Sequence, residues 1–157
     1  MEYEMDYVDS YLQSPESFMV LVFDHDQVVG ASTAIPLEFE SEAFQKPFVE
    51  HALPVKDIFY FGESVLLKAY RGRGIYPYFF LHRENAAKKY GAKIAAFCAV
   101  KRPIPDPKQP PDYRPLDKLW RRFGYEKHPE LCAHSEWKGI DEEVATSKSL
   151  VFWLKKL

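Results

Sequence analysis

The sequence has few cysteines, and this scarcity limits the sites that it can form. Only Cys98 and Cys132 are present, and they lack the paired spacing of a zinc site. His128 and His134 also lack the spacing of metal ligands, so the sequence predicts no metal site. Because nothing resembles a secretory segment, we expect two isolated thiols in a reducing compartment and no disulfide.

Excess charge and long apolar runs are also missing. The 21 basic and 23 acidic residues leave a net charge of −2, which gives no support for a nucleic-acid or membrane surface. No apolar run reaches the length of about 18 residues that suggests a membrane span. We therefore expect a cytoplasmic protein without nucleic-acid or membrane partners.

Apolar residues, in contrast, are abundant. They make up 46% of the 157 residues and include 12 Phe and 10 Tyr. A chain of this length and composition buries a sizeable core, so we expect a single domain over residues 1–157.

The first third of the chain shows a helix pattern followed by strand patterns. Tyr3 to Leu12 predicts one helix within the amino-terminal segment 1–17. Two β runs at 18–23 and 28–35 flank a short polar turn, which predicts an antiparallel hairpin. Residues 36–57 contain three prolines among apolar residues and predict a connector with a short helix.

The middle of the chain predicts a strand, a helix and a second strand. Residues 58–67 form the first strand, and by its period of two one face would carry Phe59, Phe61, Glu63, Val65 and Leu67. Apolar residues then recur at helical spacing from Pro77 to a stop at Gly91. The unbroken apolar run 94–100 predicts a strand covered on both faces, so that the three elements form a parallel crossover unit.

The last third begins with a stiff segment. Residues 101–115 contain six prolines and predict an extended loop at the border of a site. A helix follows from Pro115 to Gly124, because Leu116, Leu119, Trp120 and Phe123 lie at i, i+3, i+4 and i+7. Residues 132–137 and 150–154 predict a final antiparallel strand pair.

The segment Tyr70-Arg71-Gly72-Arg73-Gly74-Ile75 lies between the predicted strand and helix. A glycine-rich turn that enters a helix exposes backbone N–H groups at the positive end of the helix dipole, which suits a diphosphate. Arg71 and Arg73 add charge beside those groups. A solvated turn is the alternative, although the strand-to-helix context favours an anion site. ATP and NAD are disfavoured, because the P-loop pattern is absent and Pro77 replaces the third glycine of a dinucleotide fingerprint.

This segment resembles the pyrophosphate motif of the GNAT N-acetyltransferases, [Gln/Arg]-x-x-Gly-x-[Gly/Ala], at Arg71, Gly74 and, imperfectly, Tyr76. Residues 63–67 look like the family's fourth strand, and residues 119–125 look like its late helix ending in an aromatic residue after glycine. The resemblance covers about residues 18–157. It implies an α/β domain with a mixed, mostly antiparallel central sheet flanked by helices.

The resemblance also implies the cofactor and its contacts. Family members use acetyl-CoA as co-substrate, without a metal, and hold its pantetheine arm where the fourth and fifth strands splay apart. By resemblance, the pantetheine lies against the backbone of Val65 and Leu66. The diphosphate would be held by Arg71, Gly72, Arg73, Gly74, Ile75 and Tyr76.

Three features depart from the family's pattern. Tyr76 replaces a small residue and Pro77 removes the next amide, so the diphosphate is displaced or Tyr76 folds away from it. Trp120 stands where many members have a tyrosine acid, and its indole N–H cannot serve as a comparable acid. Only 17 residues precede the hairpin, so the usual amino-terminal strand and a helix are expected to be missing from this chain. This predicts an exposed sheet edge or apolar face that a homodimer would cover.

Two residues are candidates for catalysis. Glu63 would accept the proton of the attacking amine, with its pKa raised by apolar neighbours, and the alternative is a structural pair with Arg83. Tyr113 would act as an acid or contact the pantetheine, and the alternative is packing on the prolines around it. Cys98 lies in an apolar run and is expected to be a buried, unreactive thiol.

The function implied by the resemblance is transfer of an acetyl group from acetyl-CoA to a primary amine. The acceptor, a small molecule or a peptide, is left open. A non-catalytic acyl-CoA-binding or regulatory domain is the alternative, which Trp120 and the short start favour. A nucleic-acid contact by the Arg-Gly segment is disfavoured by the near-neutral charge.

Overall fold

The structure is a computed structural model that describes residues 11–103, 106, 109, 113–139 and 142–157. The helix expected at Tyr3–Leu12 lies outside the described residues except for its last two, and the proline-rich loop is described only in part. The elements, in chain order, are β1 (Phe18–Asp24), β2 (Gln27–Pro36), α1 (Glu42–Glu50), β3 (Ile58–Leu66), α2 (Tyr76–Tyr90), β4 (Ile94–Val100), α3 (Asp117–Arg122), β5 (Glu126–Trp137) and β6 (Thr146–Lys156).

The six strands form one sheet in the order β1-β2-β3-β4-β6-β5. Every neighbouring pair is antiparallel except β3 and β4, which are joined through α2. The predicted hairpin, crossover unit and final strand pair are therefore confirmed. Helix α2 has Pro77 in its first turn and ends at Gly91, whose φ of 95° is the left-handed conformation that favours glycine at a helix end.

The parallel pairing between β3 and β4 is short. It covers three residue pairs, from Ile58 with Ile94 to Tyr60 with Ala96. No pairing of these two described strands continues beyond Tyr60, although β3 extends to Leu66. The two strands therefore part near the centre of the sheet and leave an opening.

A β-bulge lies in β3 just past this point. Phe61 and Ser64 keep their register with β2, but Gly62 and Glu63 between them both lie opposite Thr33 alone. One extra residue in a strand shifts the side-chain alternation by one position. The bulge therefore changes which β3 residues face α2.

The predicted common face of β3 is wrong for this reason. Phe61 is fully buried against Phe80 of α2, whereas Glu63 within the bulge is exposed. Val65 and Leu67 are also exposed, at 56% and 57%. Glu63 consequently lacks the apolar surroundings that the period of two predicted for it.

Two apolar clusters pack on the opposite faces of the sheet. The cluster beneath α2 and α3 is largely aromatic and includes Phe61, Phe80, Phe97 and Trp153. The cluster beneath α1 includes Ile58, Tyr60, Phe48 and Phe152. Burying both faces fixes the register of the central strands and so the position of the opening.

Candidate functional site

The Arg-Gly segment connects β3 to α2, which is the placement between a strand and a helix that the sequence predicts. A single 3-10 turn, Lys68–Tyr70, leads into it, and Gly72 and Gly74 have φ values of 74° and 77°. A Cβ at either glycine would meet nothing within 4 Å, so the backbone conformation is what favours glycine there.

The N–H groups of this segment are available to a ligand. The Arg71 N–H bonds the Lys68 carbonyl at 3.2 Å, but no hydrogen bond among the described residues uses the N–H groups from Gly72 to Tyr76. They lie at the amino terminus of the 15-residue helix α2, where the dipole favours an anion.

Both arginines are anchored beside these N–H groups. The Arg71 Nε donates to the Leu66 carbonyl at 3.0 Å, and the Arg73 guanidinium lies 5.0 Å from the centre of the Tyr70 ring. Tyr70 in turn donates its hydroxyl hydrogen to Asp24. This hydrogen bond is the main reason that the pKa of Asp24 is below its ordinary value. The segment therefore combines free backbone donors with two positioned positive charges.

Tyr76 and Trp120, the two residues that depart from the family's pattern, contact each other. The Trp120 indole N–H donates to the Tyr76 hydroxyl oxygen at 3.1 Å, and the Tyr76 ring packs on Phe80 and Phe123. Burial raises the pKa of the Tyr76 hydroxyl. The side chain of Tyr76 thus belongs to the aromatic cluster, and only its backbone N–H is left for the loop.

Residues from both strands border the opening between β3 and β4. Burial raises the pKa of the Cys98 thiol to about 12, and the negative charges of Glu63 and Glu40 contribute to the rise. The Tyr60 hydroxyl and the Cys98 sulfur lie 3.1 Å apart. A carboxylate from β3 and one from the β2–α1 connection therefore both contribute to the raised pKa of the same thiol in β4.

Glu40 is a candidate that the sequence analysis missed. It is half-buried, its Oε1 accepts a hydrogen bond from Tyr11 at 3.1 Å, and its Oε2 accepts one from the Ser41 N–H at 2.6 Å. Burial is the main cause that raises its pKa. No local motif marks this residue, because its partner Tyr11 lies 29 residues earlier in the chain.

The structure also bears on the other candidates. Arg83 forms no ion pair with Glu63 among the described residues and instead bonds backbone carbonyls of Phe79 and Thr33. Tyr113 is 46% exposed, and most of the loop before it lies outside the described residues. The described chain contains no group of three or more His, Cys, Asp or Glu that could hold a metal ion.

Comparison with solved structures defines the fold. The chain is similar to an IAA acetyltransferase from Bacillus cereus, with 11% identity, a TM-score of 0.60, and coverage of 97% of this chain and 84% of that one. It is similar to a Bacillus subtilis acetyltransferase in complex with CoA, with 13% identity, a TM-score of 0.60, and coverage of 97% and 83%.

A third similar structure is a GNAT family acetyltransferase from Elizabethkingia anophelis with acetyl-CoA bound, at 11% identity, a TM-score of 0.58, and coverage of 97% and 82%. The sequence matches no protein-family model and no curated protein. These likenesses show that the chain has the fold of the GNAT acetyltransferases. No helix among the described residues is long and apolar enough to span a membrane.

Proposed function

We propose that this protein is an N-acetyltransferase that transfers the acetyl group of acetyl-CoA to a primary amine. The observation that carries the proposal is the continuity of two features of the chain. The opening where β3 leaves β4 adjoins a loop whose N–H groups, from Gly72 to Tyr76, are unengaged among the described residues. The first feature suits a pantetheine arm and the second suits a diphosphate.

In the proposed reaction the chain positions the reactants and accepts a proton. The amine nitrogen attacks the thioester carbonyl carbon, the C–S bond breaks, and the sulfur leaves with the electron pair as CoA thiolate. The nitrogen loses a proton to Glu63 directly or through a water, and water protonates the thiolate. Glu40 is the second candidate for the proton acceptor, because burial raises the pKa of its carboxyl above the ordinary value.

Two measurements test this proposal. Calorimetry with CoA is expected to show one site per chain. A thiol-release assay with acetyl-CoA and a panel of small amines and amino-terminal peptides is expected to show turnover. Glu63→Gln and Glu40→Gln separate the two proton acceptors, because only the true base loses about 100-fold or more in kcat. Glu50→Gln, an exposed carboxylate at the end of α1, is the matched control.

The second candidate function is acyl-CoA binding without catalysis. The observation that favours it is the Trp120 and Tyr76 pair, which leaves no tyrosine at the position of the family's usual acid. CoA binding without thiol release across the amine panel would favour this function over the enzyme.

A homodimer through the sheet edge is a further part of the proposal. Strand β1 lies at the edge of the sheet and exposes Met19, Leu21 and Phe23 at 41%, 45% and 58%. Exposed apolar residues on an edge strand favour pairing with another chain. Light scattering is expected to give the mass of a dimer, and Leu21→Lys is expected to reduce it to that of a monomer.

A further inference from the structure

At the bulge in β3 part of the regular backbone hydrogen bonding to β2 is missing. Side-chain hydroxyl groups of β2 bond the free backbone groups instead. The backbone N–H of Glu63 donates to the Thr33 Oγ1 at 3.0 Å, and the backbone carbonyl of Glu63 accepts from the Ser32 Oγ at 3.0 Å. Both backbone groups of the candidate base are therefore held by neighbouring residues of one strand. Serine and threonine hydroxyls can replace a strand partner in this way because each offers a donor and acceptor sites.

The hydroxyl of Ser32 is itself fixed. Ser32 is fully buried, and its Oγ lies 2.9 Å from the Ser64 Oγ. Since a hydroxyl has one hydrogen and Ser32 gives it to Glu63, Ser64 must donate to Ser32. Ser64 follows Glu63 in β3, so this contact ties the far side of the bulge to β2 as well.

Arg83 connects the bulge to α2. It is 2% exposed, its Nε donates to the Phe79 carbonyl at 3.1 Å, and its Nη1 donates to the Thr33 carbonyl at 3.3 Å. Its guanidinium lies 4.5 Å from the centre of the Phe61 ring and 5.1 Å from that of Phe80. Thr33 lies opposite the two bulge residues and has no single partner in β3. Arg83 therefore donates a hydrogen bond to the backbone carbonyl of the residue opposite Glu63.

The burial of this arginine is costly. No described acidic residue forms an ion pair with it, and a buried guanidinium without a carboxylate is expensive to desolvate. A leucine or methionine would fill the same space between two phenylalanine rings without that cost. The hydrogen bond to Thr33 is what an apolar residue could not supply.

We infer that Arg83, Thr33 and Ser32 are positioning residues that hold the bulge so that Glu63 faces the opening between β3 and β4. Without the extra residue, simple alternation would place Glu63 on the α2 face with Phe61. The inference rests on the proposed function for the role of Glu63, whereas the restraint on the bulge is a property of the chain alone.

The test compares Thr33→Val, which keeps the shape but removes Oγ1, with Thr33→Ser, which restores the hydroxyl. Thr146→Val removes a threonine hydroxyl from β6 and is the matched control. Arg83→Met and Arg83→Lys probe the hydrogen bond from Arg83 to the Thr33 carbonyl. If Arg83→Met does not fold, the threonine variants alone test the inference. Each variant is measured for amide hydrogen exchange at Glu63, for CoA affinity, and for kcat, KM and the pH profile of kcat.

Losing one hydrogen bond is expected to speed exchange of the Glu63 amide in Thr33→Val about fivefold. The kcat falls by a similar or larger factor, the acidic limb of the kcat pH profile shifts, and CoA affinity and KM for acetyl-CoA stay within about twofold of wild type. Thr33→Ser and Thr146→Val stay near wild type.

Unchanged exchange at Glu63, or faster exchange with unchanged kcat, would overturn the inference. If the wild-type chain releases no CoA from acetyl-CoA, the proposed function fails, and the exchange measurement alone then decides whether these side chains restrain the bulge.

Discussion

Alanine substitution at two glycines separates the loop's binding role from its structural role. Gly74 in the Arg-Gly segment and Gly91 at the end of α2 both have positive φ, 77° and 95°, and a Cβ at either would meet nothing within 4 Å. Alanine therefore causes no clash at either position. The cost is the backbone conformation alone, about 1–2 kcal/mol for a left-handed non-glycine residue.

The two glycines differ in how their backbone is held. The Gly91 N–H bonds carbonyls of Ala87 and Lys88, so Gly91→Ala cannot relax and loses about 1–2 kcal/mol of unfolding free energy. The Gly74 N–H has no bond among the described residues, so the loop in Gly74→Ala relaxes when no ligand is bound. The free-energy cost of the left-handed alanine then appears when CoA binding returns the loop to its positive-φ conformation, and CoA affinity falls about 5- to 30-fold.

The assay is calorimetry with CoA together with urea unfolding of both variants. Gly74→Ala is expected to bind CoA more weakly and to unfold near the wild-type midpoint, and Gly91→Ala is expected to show the reverse. Equal CoA affinity in the two variants would refute the reasoning, because the loop conformation would then have no part in binding.

Three further outcomes follow from contacts away from the loop. Tyr76→Phe removes the acceptor of the Trp120 indole N–H and is expected to lower the unfolding free energy by about 1–2 kcal/mol while CoA affinity in calorimetry stays unchanged. Cys98, whose pKa is about 12, is expected to resist iodoacetamide at pH 8 in the folded protein and to react in urea, as mass spectrometry would show; rapid labelling of the folded protein would contradict this. Lys148 lowers the pKa of Glu142 from 4.5 to about 2, so the stabilising effect of Glu142 is complete above pH 4.5 and is lost as the pH falls toward 2. Glu142→Gln should therefore lower the urea midpoint at pH 7 and not at pH 2, and an equal effect at both pH values would count against the pair.

Local chemistry made much of the fold predictable. Pro77 and Gly91 mark the ends of α2 because their backbone preferences suit only those positions, and the apolar runs mark the strands. The sequence marks the Arg-Gly segment because a glycine-rich turn lies between a predicted strand and a predicted helix. In the structure Gly72 and Gly74 of this segment have positive φ.

Contacts between distant residues could not be predicted. The bulge moved Glu63 to the other face of β3, and the only local sign of it is Gly62, since a glycine inside a strand often marks a bulge. Glu40 bonds Tyr11, which lies 29 residues earlier in the chain. The bond between Trp120 and Tyr76 joins residues 44 apart. Each of these depends on tertiary packing, which periodicity does not encode.

A crystal structure of the protein with acetyl-CoA tests the central claim most directly. The account predicts that the diphosphate accepts hydrogen bonds from the N–H groups between Gly72 and Tyr76. It also predicts that the pantetheine lies between β3 and β4 with the thioester beside Glu63. Acetyl-CoA bound elsewhere on the chain, or absent from crystals soaked at millimolar concentration, would contradict the account.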